Sequence, residues 1–443
     1  MCSPHTSLNN LTMEADRYNR QARIAGWNQT RLHQCTLIIT GHTTFSDYLT
    51  LGASALGIGT IRLIATPQDA PSPEAPFLRL SAKPTRHERL EELVASVGAS
   101  RFEYVRAHLR TQAEQWLFSG ATVIVDSTGR HDSRALVLDY AMKNNISIEL
   151  TSFAETRARS LDKQSSPYIL HDEPPHGVDA VASLVIAGAV LEEIKKYSFT
   201  PTTGRQSLAY QMQYHEPQPL PDSKILVVGA GALGNFVVPG LAALGCAHVD
   251  IVDNDIIEET NLNRQIAYFD SVGKHKATVL AERSSAMAMQ GAQYTPFTIF
   301  FNNDASIDGY TLVLDCVDNF ATRASLSRAC IRARVPLISG GTSYRAGQCV
   351  AYAPGKTTCT NHVLDLDRVA AIRREEHQVA GCIRQADPSV IMSNMVVAGM
   401  MLHDVRRVLQ PEVWDKPING QTRYDAEGPD RIGTLELNET CGD

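Results

Sequence analysis

The feature that most constrains the fold of this chain is a glycine-rich turn in its middle. The stretch VVGAGALGNFVVPGLAALG covers residues 227–245 of 443. It follows an apolar strand and opens a segment with apolar residues at helical spacing. Gly229, Gly231 and Gly234 have the G-x-G-x-x-G spacing that brings backbone N–H groups close to a phosphate. The sequence therefore predicts a nucleotide-binding strand–turn–helix unit, preceded by a long segment of another kind.

The residues before this turn repeat its pattern in a weaker form. The shared pattern is strand, turn, helix and strand, followed by two further pairs of similar segments. Three pairs of segments correspond in the same order: 35–69 with 224–255, 121–148 with 310–338, and 179–197 with 387–409. We therefore predict an α/β fold of two tandem Rossmann-like domains, each a parallel sheet flanked by helices, that form a pseudo-dimer.

The two predicted domains differ at their turns. The predicted boundaries are residues 1–200 for the first domain, 201–223 for a polar, proline-rich linker and 224–443 for the second domain. Where the second domain has GAGALG, the first has GHTTFS, so two of the three glycines are missing. Where the second has Asp253 and Asp255, the first has Ala65 and Pro67. The first domain is predicted to keep the fold without a nucleotide site.

Charge and cysteine usage exclude several classes of partner. The net charge is −7 and no block of lysine or arginine stands out, so nucleic acid is not expected as a partner. No run of about 18 apolar residues predicts a membrane span. The start of the chain lacks the pattern of a secretory signal. Nine scattered cysteines indicate a reducing compartment, which predicts a cytoplasmic location.

The residues just after the turn decide which nucleotide is expected. Asp253 lies 24 residues after Gly229, which suits a ribose hydroxyl and fits an NAD-dependent dehydrogenase equally well. The motifs NLNRQ and GKHKA then concentrate polar and cationic groups, including Arg264 and Lys276, where phosphates would lie. This pattern favours a triphosphate over a dinucleotide. The alternative is that Arg264 and Lys276 are ordinary surface charges.

A later strand ends in LDCVDN, which places Asp315 and Asp318 at the edge of the sheet where ligands bind. A carboxylate that faces an arginine and a lysine across a triphosphate is a suitable Mg²⁺ ligand. The alternative for Asp315 is a helix cap.

Taken together, GAGALG, DND, NLNRQ, GKHKA, LDCVDN and ISGGTSYRAGQ resemble the ThiF/MoeB/HesA and ubiquitin-activating enzyme family. The resemblance covers residues 224–441 well and 15–200 loosely. It implies ATP-dependent adenylation of the C-terminal carboxylate of a ubiquitin-like or sulfur-carrier protein. It also implies that Asp318 binds Mg²⁺, and that ATP is held by Gly229, Gly231, Gly234, Asp253, Asn261, Arg264, Gln265, Lys276, Asp318 and Asn319.

The same resemblance gives a role to DRYNRQARIAGW, residues 16–27. In the family, such a segment at the start of one adenylation domain lends an arginine to the active site of its partner. Here that residue is Arg20, on the degenerate half. One chain would then hold a single complete active site, as in the ubiquitin-activating enzymes. The alternative is an ordinary basic amphipathic first helix.

In many family members, adenylation is followed by transfer of the acyl group to a cysteine of the enzyme, as a thioester. The polar segment at about 355–390 suits the family's crossover segment, and Cys382 falls where the acceptor of a thioester is expected. Cationic neighbours there would favour its thiolate. The alternative is an inert thiol. The cysteines in apolar patterns are predicted core residues: Cys246, Cys316, Cys330 and Cys349.

Relatives in the family carry a structural zinc held by two CxxC pairs. The corresponding residues here are Cys359 and His362, with Cys441 near the end of the chain. Three ligands do not close a tetrahedral site, although Asp443 could supply a fourth. Zinc therefore stays open as a cofactor beside ATP and Mg²⁺.

The expected function is that of a compact activating enzyme of a bacterial ubiquitin-like conjugation system. It would adenylate a ubiquitin-like partner and pass it through Cys382 to a conjugating enzyme. The first alternative is an adenylyltransferase of the ThiF/MoeB type that activates a sulfur carrier without a thioester. The second is a non-catalytic nucleotide-binding scaffold or an NAD-binding regulator.

Overall fold

The computed structural model describes residues 17–65, 72–154, 157–161, 179–199, 208–211, 220–301, 306–372, 387–428 and 431–441. Cys382 and Asp443 lie outside these residues. The described chain forms two mixed β-sheets with α-helices packed on them, and the first five strands of each sheet run parallel. The predicted α/β class, with a parallel sheet flanked by helices, is confirmed.

The first sheet contains seven strands in the order β3-β2-β1-β4-β5-β6-β7. Its central strand is apolar and pairs in parallel on both sides, with Leu37 opposite Ile61 and Val123. The last two strands are antiparallel. The strands are β1 (Thr36–Thr40), β2 (Thr60–Ala65), β3 (Arg101–Arg106), β4 (Val123–Asp126), β5 (Ser147–Ala154), β6 (Arg157–Leu161) and β7 (Leu208–Gln211).

The second sheet contains eight strands in the order β10-β9-β8-β11-β12-β13-β14-β15, which repeats the order of the first and adds one strand. Ile225 on its central strand lies opposite Val249 and Leu312. The strands are β8 (Lys224–Val228), β9 (His248–Val252), β10 (Gln293–Phe297), β11 (Leu312–Asp315), β12 (Leu337–Thr342), β13 (Ala346–Tyr352), β14 (Gly420–Asp425) and β15 (Ile432–Glu436).

The strand β7 lies inside the stretch 201–223 that the sequence predicts as a linker. It pairs with β6, so the first sheet extends to residue 211 along the chain. The polar composition of this stretch hides the strand, because an antiparallel strand at the edge of a sheet does not need a continuous apolar run.

Twelve helices are described in full. They are α1 (Asn19–Ala22), α2 (Gln29–Gln34), α3 (Thr44–Leu56), α4 (Arg86–Val97), α5 (His131–Lys143), α6 (Ala180–Phe199), α7 (Gly234–Ala243), α8 (Lys276–Met287), α9 (Phe320–Ala333), α10 (Thr360–Leu364), α11 (Ile391–Leu409) and α12 (Pro411–Trp414). Side chains fix several ends: Thr43 and Ser46 form a capping box on α3, and Asn319 caps α9. Within the described residues, no helix is long and apolar enough to cross a bilayer.

The two sheets share one apolar core, whose centre is the contact between α6 and α11. Two glycines allow the close approach, since a Cβ on Gly188 would lie 2.8 Å from the carbonyl oxygen of Met392. A Cβ on Gly399 would lie 2.4 Å from a methyl carbon of Val185. The contacts are reciprocal, because Gly188 meets the start of α11 and Gly399 meets the start of α6. Side chains of both halves belong to the same buried cluster.

Candidate functional site

The glycine turn after β8 places each of its three glycines in a different role. Gly229 has φ +101°, and an added Cβ would lie 2.7 Å from the carbonyl of Cys316 on the neighbouring strand end. Gly234 begins α7, and its Cβ would lie 2.2 Å from the carbonyl oxygen of Gly229. Gly231 faces open space. The first and third glycines therefore shape the turn, while the second leaves room for a ligand.

The corresponding turn in the first half has another structure. Gly41 has φ +92° and approaches Ser127, as Gly229 approaches Cys316. The start of α3 is capped by the Thr43 side chain, which accepts from the N–H of Ser46. The fully buried Asp47 lies on the first turn of α3 and pairs with Arg86 Nη2 at 2.7 Å. The first turn of this helix therefore holds an ion pair of the protein itself.

The acid at the end of β9 is held by the glycine turn. Asp253 accepts from the N–H of Ala230 at 2.7 Å and from that of Asp255 at 2.8 Å. Burial raises the pKa of Asp253, although Lys276 and these N–H groups favour its ionised form. Lys276, the first residue of α8, pairs with Asp255 at 2.8 Å. The acid and the lysine thus face the same region from two neighbouring elements.

Two arginines from distant parts of the chain meet at this region. Arg264 is buried and donates to the Thr260 carbonyl and to Asn263 Oδ1, each at 2.8 Å. Burial and the nearby Arg20 lower the pKa of Arg264 to about 10. Burial also lowers the pKa of Arg20, which donates to the carbonyl of Asp387 at 3.4 Å. A buried cation beside a partly buried one favours an anionic ligand.

The two acids of the LDCVDN motif lie in different environments. Asp315 is fully buried, accepts from Ser339 Oγ at 2.6 Å and lies 3.6 Å from Arg323 Nη1. Burial raises its pKa. Asp318 is exposed, and its neighbour Asn319 caps α9. Asp315 is therefore neither a helix cap nor exposed to a ligand, and only Asp318 offers its carboxylate to a bound cation.

These groups line one open cleft of about 1720 Å³ at the carboxyl ends of β8, β9 and β11. Its mouth also contains apolar side chains from the segment after β10, among them Phe300. Of the residues predicted for the site, Gly234 lies behind the turn and the cleft is lined by Arg20, Gly229, Gly231, Asp253, Asn261, Arg264, Gln265, Lys276, Asp318 and Asn319. The structure thus brings Arg20 from the first half to the cations and acids of the second.

The sequence places Asn263 among the polar groups near the phosphates without giving it a role, and the prediction missed other residues that support the cleft. Asn263 is part of NLNRQ and is fully buried, with contacts to Gln21 and to the carbonyl of Ser389. Gln21 directly follows Arg20 in the motif RYNRQ, so its place in that motif was the available signal. Arg323 is eight residues after Asp315, and Arg134 is eight residues after Asp126 in the first half. This repeated spacing could have identified both buried pairs.

Comparison with known proteins identifies the family. The profile of the ThiF family matches residues 204–441, which is more than half of the chain. The chain belongs to the ThiF family. The family expected from the motifs is thereby confirmed.

Two relatives are adenylyltransferases by name. The chain is 32% identical over 191 residues to the adenylyltransferase and sulfurtransferase MOCS3 of Drosophila yakuba, covering 41% of this chain and 42% of that one. It is 32% identical over 151 residues to the molybdopterin-synthase adenylyltransferase of Salmonella typhimurium, covering 33% of this chain and 61% of the relative. The matches therefore span about half the length of these proteins.

Among solved structures, a crystal structure of E. coli MccB with ATP matches with a TM-score of 0.41 and 21% sequence identity. It covers 49% of this chain and 64% of the MccB chain.

A second group of residues lies apart from the cleft, where this ThiF-family chain approaches its C-terminus. Cys359 Sγ lies 3.4 Å from both His362 Nδ1 and Cys441 Sγ. The His362 Nδ1 atom lies 2.7 Å from Cys441 Sγ. Partial burial opposes the ionised Cys441 thiol, but hydrogen bonds with His362 and Cys359 lower its pKa overall, while burial raises the pKa of Cys359. Two sulfurs and an imidazole within 4.8 Å of one another are a suitable donor set for Zn²⁺.

The cysteines divide as their patterns predict, as far as they are described. Cys246, Cys316, Cys330 and Cys349 are buried, which confirms their prediction as core residues. Cys382 lies in the stretch 373–386, outside the described residues.

Proposed function

We propose that this ThiF-family chain is an ATP-dependent adenylyltransferase that activates the C-terminal carboxylate of a small protein. The single observation that carries the proposal is the cleft. It combines a glycine turn, a partly buried acid, several cationic side chains and an exposed aspartate, and one of the cations, Arg20, comes from the other half of the chain. The adenylyltransferase names of the two sequence relatives point to the same reaction.

In this proposal, the residues of the cleft hold ATP by their charge and position. Gly231 leaves room for the phosphates, and Asp253 accepts from the ribose. Arg264 and Lys276 neutralise the triphosphate, and Asp318 holds the cation. Mg²⁺, when bound there, would neutralise charge on the phosphate oxygens. A carboxylate oxygen of the partner attacks the α-phosphorus, the bond to the bridging oxygen breaks, and pyrophosphate leaves with that electron pair.

We also propose that the first half binds no nucleotide and completes the site of the second. The Thr43 side chain accepts from the N–H of Ser46, one of the N–H groups that would face a phosphate. The carboxylate of Asp47 lies on the first turn of the same helix and is neutralised by Arg86. Arg20 then serves the cleft of the second half. The two halves would correspond to the subunits of a dimer, with domain boundaries near those predicted.

The adenylation proposal is tested by carboxylate-dependent exchange of pyrophosphate into ATP. We expect Arg264→Ala and Asp318→Ala each to reduce the exchange rate by about 10²–10³-fold, the cost of removing one group that stabilises developing charge. Arg328→Ala and Asp308→Ala are matched controls on surfaces outside the cleft, and should exchange normally. Unchanged exchange in both cleft variants would leave a nucleotide-binding scaffold as the better description.

Two fates of the adenylate are compatible with the cleft. In the first, the carboxylate forms a thioester with Cys382 and is passed to a conjugating enzyme, with a ubiquitin-like protein as partner. Its support is the place of Cys382 in the sequence, within the predicted crossover segment at about 355–390. In the second, the carboxylate of a sulfur carrier is passed to sulfur without a thioester on the enzyme. Its support is the sulfurtransferase in the name of one relative.

A non-reducing gel separates the two fates. The chain is incubated with Mg²⁺–ATP and candidate carrier proteins, with Cys246→Ala as the control for a buried cysteine. A thiol-sensitive band of enzyme plus partner that Cys382→Ala removes would support the thioester. Exchange without such a band would support the sulfur carrier.

We further propose that Cys359, His362 and Cys441 hold a structural Zn²⁺. The short mutual distances of their donor atoms support the assignment. When bound, the ion would tie the C-terminal segment to the start of α10.

A further inference from the structure

The segment 17–22 touches the second half at three places around the cleft. Arg17 Nε lies 3.4 Å from Glu259 Oε1. Arg20 donates to the carbonyl of Asp387. Gln21, which is fully buried, accepts from Asn263 Nδ2 at 2.9 Å. Arg17 and Arg20 are partly exposed, whereas the amide of Gln21 makes its contact away from water.

Gln21 belongs to a chain of hydrogen bonds that begins in the first half. Trp27 Nε1 donates to Gln29 Oε1 at 3.0 Å, and Gln21 Nε2 donates to the same oxygen at 2.7 Å. The Gln21 amide nitrogen also lies 3.1 Å from the carbonyl of Leu56, at the end of α3. Both hydrogens of the Gln21 amide are therefore used within the first half. Only its oxygen can face the second half.

The orientation of the Gln21 amide determines that of the next amide, which lies beside the cleft. Because the Gln21 oxygen faces outward, Asn263 must present its NH₂ group, which also lies 3.3 Å from the carbonyl of Ser389. The Asn263 oxygen then faces Arg264 and accepts from its Nη1 at 2.8 Å. The Trp27 indole N–H can only donate, so it fixes the orientation of the Gln29 amide. That amide in turn fixes the orientations of Gln21 and Asn263. The chain ends on a guanidinium that lines the cleft.

We propose that Gln21 and Asn263 are positioning residues that hold the Arg264 guanidinium for the triphosphate. The proposal rests on the proposed function, because it assigns a ligand to Arg264. Its physical basis is burial: an amide pair shielded from water has few alternative partners, so its orientation is strongly enforced. The hydrogen bond from Asn263 to the Ser389 carbonyl also positions the residues that precede α11.

The test is a double-mutant cycle read by calorimetric titration with Mg²⁺–ATP. We expect Gln21→Leu to weaken ATP binding by about 3–10-fold, the effect of one buried hydrogen bond on an equilibrium. In an Arg264→Ala background the same substitution should have no further effect, because its route to the ligand is already removed. Gln410→Leu is the matched control, since Gln410 is a buried amide that contacts Trp414 outside the cleft.

Three outcomes contradict the proposal. A chain that binds ATP through Arg264 but tolerates Gln21→Leu would refute the positioning role alone. An equal loss of affinity with and without Arg264 would show that Gln21 acts on the fold and not through the guanidinium. Absence of ATP binding by the wild-type chain would refute the proposed function, and the positioning role with it.

A second variant covers the case in which Gln21→Leu does not fold. Asn263→Ala removes the other partner of the same hydrogen bond. We expect the same loss of affinity, again absent in the Arg264→Ala background.

Discussion

At the scale of single residues, two buried ion pairs with the same spacing support the two sheets. Asp126 pairs with Arg134 at 3.2 Å, and Asp315 lies 3.6 Å from Arg323. In both, the acid ends the fourth strand and the arginine lies on the following helix. Arg134 also donates to the carbonyl of Thr151 on the next strand, at 2.8 Å. Arg323 likewise donates to the carbonyl of Gly340 on the next strand, so each pair joins three elements, and the arrangement is present in both halves.

Removing one partner of such a pair should lower the stability of the folded protein. We expect Arg323→Ala to lower the free energy of unfolding by about 3–5 kcal/mol, because Asp315 would remain buried without its cation. Arg328→Ala, on the exposed side of α9, should lower it by about 1 kcal/mol or less. Unfolding in urea measures both. Equal small losses would mean that Asp315 is neutral or hydrated in the folded protein.

Arg20 is the residue whose role depends most on its position in the fold. We expect Arg20→Ala to keep the melting temperature within a few degrees while pyrophosphate exchange falls by about 10²-fold, since a cation that stabilises developing charge is lost. Arg23→Ala, one turn away and exposed, is the control. Normal exchange by the Arg20→Ala protein would remove this arginine from the site.

At the scale of elements, the turn between β8 and α7 separates folding from binding. Gly229 approaches the end of β11 with positive φ, while Gly231 faces the cleft. Glycines that look alike in the sequence therefore hold two kinds of position: one is packed against the backbone and the other faces open space. Only the packing of the neighbouring strand end distinguishes them.

This difference predicts opposite effects for the same substitution. We expect Gly229→Ala to destabilise the protein, because a Cβ cannot avoid the Cys316 carbonyl at 2.7 Å. Gly231→Ala should leave stability unchanged and weaken ATP binding, since its Cβ enters the space left for phosphates. Thermal unfolding and ATP titration of the two variants would measure this. Tight ATP binding by Gly231→Ala would contradict the assigned place of the phosphates.

The C-terminal segment is a second element whose role depends on a ligand. We expect about one zinc per chain by elemental analysis, and a lower melting temperature after treatment with a chelator. Cys441→Ser should bind less zinc and lose the response to the chelator, while Cys330→Ser, a buried cysteine elsewhere, should retain both. A metal-free chain of full stability would show that the three side chains pack without an ion.

At the scale of the whole molecule, the described parts of the two halves pack directly against each other. The helices α6 and α11 meet through Gly188 and Gly399. Asp179, just before α6, forms a buried ion pair with Arg406 on α11. Because α11 follows the residues that contact Arg20 and Asn263, this packing also sets one wall of the cleft.

The close approach of these helices can be tested directly. We expect Gly188→Val to lower the free energy of unfolding by about 1–3 kcal/mol, because the side chain would meet the Met392 carbonyl. ATP affinity should fall as well, since α11 must shift. Gly433→Val, in a strand with open space around the glycine, should affect neither. A stable Gly188→Val protein would indicate that the helices can separate without cost.

The sequence alone determined the fold class and the family, because those depend on local patterns. Apolar strands and glycine spacing can be recognised within short stretches of sequence, and the repeat can be recognised from the order of those stretches. The residues proposed for ATP were likewise predicted from motifs, and the structure places all but Gly234 on one cleft.

The resemblance already assigned Mg²⁺ to Asp318 and a place at the active site to Arg20, but only the tertiary structure shows that Asp315 is buried and that Gln21 contacts the second half. Asp315 and Asp318 are three residues apart, yet burial against Ser339 and Arg323 separates their roles. The contact of Gln21 with Asn263 joins residues 242 positions apart. No local pattern encodes it, because it exists only when α6 has packed on α11 and brought the halves together.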